Sequence, residues 1–109
     1  MSCECEKRLC LYRVGDTLVW KGKFTDVGYD VNDTTKVTIT AQYISKAEDG
    51  TQTSVSATVT PNPDTTDEVT FKADSYGMSA GDLFLKVLVN VTADTYKQYI
   101  EAQVGVIML

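Results

Sequence analysis

From residue 82 onward, Leu83, Leu85, Val87, Val89 and Val91 fall at every second position, while Phe84, Lys86, Leu88 and Asn90 point the other way. That two-residue period belongs to a strand, because residues two apart lie on opposite sides of a helix. After the polar connection TADT the alternation resumes with Tyr96, Gln98, Ile100, Ala102, Val104 and Val106. The spacing predicts a long antiparallel hairpin over residues 82–109. Its apolar face is too wide for water, and a lone hairpin is marginal. The rest of the chain is therefore expected to supply an opposing sheet.

Read in order, residues 9–14 predict a first strand with Cys10, Tyr12 and Val14 on one face, ended by Gly15-Asp16. TLVWKGKF follows with Leu18, Trp20 and Phe24 inward, and Trp20, the single tryptophan, is the expected centre of the core. After a loop over 25–35, KVTITAQYISK turns Val37, Ile39, Ala41 and Tyr43 inward. Asp49-Gly50 marks a hairpin turn into QTSVSATVT, where Val55, Ala57 and Val59 face a row of Ser and Thr. Small side chains on both faces predict an edge strand, ended by Pro61 and Pro63, which lack the N–H a ladder needs. Residues 68–73 add a strand with Val69, Phe71 and Ala73 inward, and Gly77 and Gly81 permit the bends that lead to the last hairpin. About seven strands with regular turns and no helix predict an all-β fold, an immunoglobulin-like antiparallel β-sandwich. Residues 1–8 are expected to be a flexible arm and 9–109 a single domain.

Composition narrows the function. The 109 residues are 43% apolar and 23% charged, which suits one globular core. A net charge of −5 with scattered basic residues argues against nucleic acid as a partner. No apolar run is long enough to span a membrane, and the N-terminus does not read as an export signal. Cys3, Cys5 and Cys10 fall one ligand short of a zinc site, with no histidine to complete it. They read instead as a buried apolar Cys10 and two terminal thiols, in a reducing compartment.

Catalysis finds little to work with. Without histidine the commonest general base is missing, and no nucleophile elbow, phosphate loop or dinucleotide fingerprint is present. No carboxylate falls on an apolar strand face, where burial would tune it. Asp26, Asp30 and Asp33 share one loop and are oxygen donors of the kind calcium takes, but their spacing is not that of an EF-hand, and turn formation explains them. No catalytic residue, metal or cofactor is therefore expected. Asn32 and Asn90 sit in formal glycosylation sequons that matter only on an exported chain. Among the aromatics, Tyr99 is expected on the solvent side of the last strand, where an amphipathic ring suits an interface. Tyr29, Tyr76 and the edge residue Val55 complete the expected contact set.

Gly15, Asp16, Trp20, Asp26, Gln42, Ala80, Gly81 and Gly105, in GDTLVWKGKFTD, KVTITAQYISK, SAGDLFLKVLVNV and YIEAQVGVIML, form a pattern that resembles small β-sandwich domains of tailed-phage virions, in particular the N-terminal domain of baseplate upper proteins. The resemblance implies a non-enzymatic virion component made in the bacterial cytoplasm: a capsid decoration, neck, tail or baseplate part that binds other virion proteins and copies of itself. The alternative expectation is a carbohydrate- or surface-binding adhesion module, with Tyr29, Tyr76 and the acidic loop as its platform.

Overall fold

The hairpin that organises the sequence also organises the structure, a computed structural model that describes residues 10–24 and 27–109. Its arms are β7 (Gly81–Val91) and β8 (Tyr96–Met108), joined by a 3-10 turn at Thr92–Asp94. Before them come β1 (Cys10–Arg13), β2 (Thr17–Lys23), β3 (Val37–Lys46), β4 (Gln52–Ser56), β5 (Thr58–Pro61) and β6 (Glu68–Asp74). One sheet has the order β1-β8-β7-β3-β4 and the other β2-β6-β5. All pairings are antiparallel except β1 with β8, which run parallel from Cys10 opposite Gly105 to Arg13 opposite Met108. The fold is all-β, two sheets packed face to face. The expected arm, residues 1–8, lies outside the described residues.

Eight strands stand among the described residues where the sequence pattern gives about seven. QTSVSATVT is divided at Ala57: β4 pairs with β3 as far as Ser56 opposite Gln42, and β5 pairs with β6 from Thr58 opposite Lys72. The chain leaves one sheet for the other there, while the Ala57 N–H still donates to the Ala41 carbonyl at 2.9 Å. Small side chains let the backbone cross the gap between sheets, and both pieces end up as edge strands.

The core lies where the inward positions of both sheets meet. Tyr43, Phe71, Leu18, Leu83 and Ile107 are its largest fully buried side chains. Trp20 is not its centre. It sits half-buried on β2, at the margin of the three-stranded sheet, with its ring lying over Gly22 and 6.1 Å from that of Phe71. Tyr43, Phe71, Leu83 and Ile107 stand on interior strands, while Leu18 shares edge strand β2 with Trp20 and is buried all the same, so centrality depends on cover from the facing sheet, a property periodicity does not carry. A second correction concerns β8. Leu83 opposes Gly105 but Phe84 opposes Gln103, so Val104 is one residue extra, a β-bulge. The bulge reverses the phase of the last residues, burying Ile107 where strict alternation points Val106 inward.

Hydrogen bonds tie the sheets across the core. The Tyr43 hydroxyl on β3 donates to the Phe71 carbonyl on β6 at 2.7 Å, and the Tyr12 hydroxyl on β1 donates to the Val19 carbonyl on β2 at 3.0 Å. Burial, with Tyr12 nearby as a lesser cause, pushes the Tyr43 phenol well above its ordinary pKa. The folded state thus holds a proton that the unfolded chain releases near pH 10. The contribution is intact below that pH and is lost as pH rises, by up to about 1.4 kcal/mol per pH unit. Urea unfolding followed from pH 9 to 11.5 is expected to show this decline, and Tyr43→Phe to be less stable at neutral pH but flatter in alkali. Parallel curves for the two proteins would assign the alkaline loss to other groups.

Candidate interaction site

The two sheets are unequal in width, and the difference leaves a groove. On β8, Tyr96, Gln98, Ile100 and Ala102 stand directly opposite Val91, Val89, Val87 and Leu85, so they share the inward face of the wide sheet. The three-stranded sheet does not reach over them: Tyr96 is 52% exposed, Gln98 and Ala102 are exposed, and Ile100 is half-buried. Between this uncovered face and the margin of β2 runs a slot of about 240 Å³. Trp20, Gly22 and Phe24 form one wall, Ile100, Ala102 and Val104 the other, with Leu85 and Val87 beneath and Lys23 and Gln98 also lining it.

Each wall carries a strand edge. Among the described residues β2 is the outermost strand of its sheet, and β1 pairs with β8 only from Gly105 to Met108, leaving Tyr96–Val104 without a strand on that side. At Gly105 the two backbones come so close that a Cβ would stand 2.5 Å from the Cys10 carbonyl oxygen. A larger residue there would push β1 off, so glycine is what lets the parallel pair form.

The expected contact residues do not converge. Tyr99 is 66% exposed on the outer face of the wide sheet, opposite Leu88 and turned away from the groove. Val55 faces the core on edge strand β4, half-buried opposite Tyr43. Tyr29, in the β2–β3 connection, is half-buried; its hydroxyl donates to Asp94 Oδ1 at 2.8 Å, which raises its pKa, and Lys36 Nζ lies 5.8 Å from its ring. Tyr76 is 84% exposed in the β6–β7 connection, at the opposite end of the sandwich. Tyr29 and Tyr76 therefore share no platform.

Polar clusters are satisfied within themselves. Asp26 lies outside the described residues. Asp30 Oδ1 accepts from the Asn32 N–H and side-chain amide, while Asp33 Oδ1 accepts from the Thr35 N–H and hydroxyl, which holds the Asp33 pKa below the usual range. These are turn-closing bonds. Asn32 also donates to the Asn62 and Thr65 carbonyls, clamping the β2–β3 and β5–β6 connections together. The hydroxyls of buried Ser45, of Thr53 and of Ser79 bond one another with no base among them. Among the described residues no three Asp, Glu, Cys or His side chains cluster as a metal would need. Cys10 is buried, as its strand position predicts, but disulfide-bonded rather than the free thiol expected. The chain's other cysteines, Cys3 and Cys5, lie outside the described residues.

The groove is the feature that sequence reasoning missed. Its signal was present in the inward phase of Ile100 and Ala102, but nothing in the pattern says that β2 falls short of them. Comparison with protein-family models, with curated proteins and with solved structures finds no match to this chain.

Proposed function

We propose that this chain is a non-enzymatic assembly module of a tailed-phage virion, a capsid-decoration, neck, tail or baseplate component that binds neighbouring virion proteins and copies of itself. The observation that carries the assembly reading is the apolar groove flanked by two strand edges, a surface that main-chain hydrogen bonds and side-chain burial can both occupy. Exposed Tyr99 beside half-buried Leu88 on the outer sheet face adds a second contact surface. The virion setting rests on the sequence resemblance.

We also infer that the sandwich is immunoglobulin-like. The order β8-β7-β3-β4 against β2-β6-β5 supports this, since it follows the G-F-C-C′ and B-E-D arrangement of that fold, with β1 placed parallel beside the last strand. The test is the mass of the purified full chain in solution, by light scattering with reductant present and over a range of concentrations. A defined oligomer is expected. A monomer at every concentration, or a monomer that binds glycans, would replace this reading with the adhesion module.

A further inference from the structure

We propose that the outer edge of β4 pairs with β4 of a second copy, antiparallel about Ser54, so that two wide sheets join into one. This rests on the assembly reading and names a contact for it. β4 pairs with β3 on one side, and the alternation of its hydrogen bonds fixes which groups the other side offers. The Ala47 N–H donates to the Thr51 carbonyl at 2.8 Å, and the Ala57 N–H donates to the Ala41 carbonyl at 2.9 Å. Between these two bonds Thr53 and Val55 keep the same phase and bond β3, whereas Gln52, Ser54 and Ser56 turn their N–H and C=O groups outward. Among the described residues no strand or connection takes these groups, and all three side chains are exposed.

Four strands border the two sheets among the described residues, and they are not alike. β1 carries Arg13, β2 carries Lys21 and Lys23, and β5 carries Pro61. Charges and proline of this kind keep strand edges from joining. β4, with the sequence QTSVS, has neither.

A second copy fits this edge by symmetry and by charge. About a twofold axis through Ser54, the two Ser54 residues face each other and Gln52 faces Ser56, so every outward residue meets an outward residue of the other strand. Each chain carries a net charge of −5, which sets copies against one another wherever charged surfaces meet. A seam along β4 brings no like charges together. On the inner face Thr53 lies across from Val55, covering a valine that its own two sheets leave half-buried. The edge is only five residues long, so the contact falls at the small end of specific interfaces and the dimer is expected to depend on concentration.

Ser54→Pro in the full chain is the direct test, because it removes an outward N–H and leaves the bonds to β3 whole. By light scattering over a concentration series with reductant present, it is expected to raise the dissociation constant of the dimer at least about tenfold. Ser54→Lys and Ser54→Glu keep the N–H and place like charges face to face on the axis, which serves equally if the proline variant fails to fold. Each alone is expected to weaken association about fivefold, and an equimolar mixture of the two to restore it. Unchanged association in the folded variants would overturn the β4 contact and leave the assembly reading intact. Weakening in the lysine and glutamate variants without recovery in the mixture would overturn the twofold pairing. A wild type that is monomeric at every concentration would overturn both readings and leave the edge to a strand of another protein.

Discussion

Phe71→Ala is expected to remove a large share of the stability of this domain. Phe71 is fully buried on β6, the middle strand of the three-stranded sheet, opposite both Trp20 and Val59. Its ring lies 6.1 Å from those of Trp20 and Phe24, tilted against one and edge-on to the other. Truncation leaves a cavity between these rings and the wide sheet, at a cost of about 3–5 kcal/mol. Domains of this size hold only about 5–15 kcal/mol in total. Urea unfolding should show a midpoint lowered by more than about 1 M, given slopes of about 1–3 kcal/mol per molar. Phe71→Leu, which keeps most of the volume, should lose about 1.5 kcal/mol or less. If both variants unfold with the wild type, the two sheets do not pack on this ring.

Gly81→Ala is expected to cost nearly as much, for a reason that lies in the backbone. Gly81 opens β7 with φ +148°, and a Cβ there would meet the Lys46 carbonyl oxygen at 2.2 Å and its carbon at 2.7 Å. The obstacle is main chain of the adjacent strand, so relief requires β3 or β7 to shift and disturbs the pairing on which the hairpin rests. A loss above about 3 kcal/mol is expected. Gly50 provides the comparison, since it also has positive φ, at +89°, but open space around it. Gly50→Ala should cost about 1 kcal/mol, the conformational part alone. Thermal unfolding of the two variants separates the effects, and equal losses would show that the approach to Lys46 is not the deciding term.

How much was legible differs from place to place along the chain. The inward rows Leu83 to Val91 and Val37 to Tyr43 could be read directly, because a strand buried on one face must alternate, and each row occupies the predicted face. Gly81 and Gly105 stood out in the sequence as members of a pattern. The structure gives each a physical task, in the approach of β7 to Lys46 and of β8 to Cys10. Trp20 and Val106 were misjudged because cover from the facing sheet and a single bulge are relations between strands, and a one-strand pattern does not contain them. Tyr29, Tyr76 and Tyr99 were recognisable as amphipathic rings, but periodicity places a residue on a face and not at an end of the sandwich.

The sequence by itself determined that this protein is built of strands, which side of most of them is dry, and that it has no histidine. Tertiary structure alone decided that, among the described residues, five strands should face three. Pairing depends on which backbones meet, and the shortfall of the narrower sheet is what leaves the β8 face and the β2 edge uncovered among the described residues.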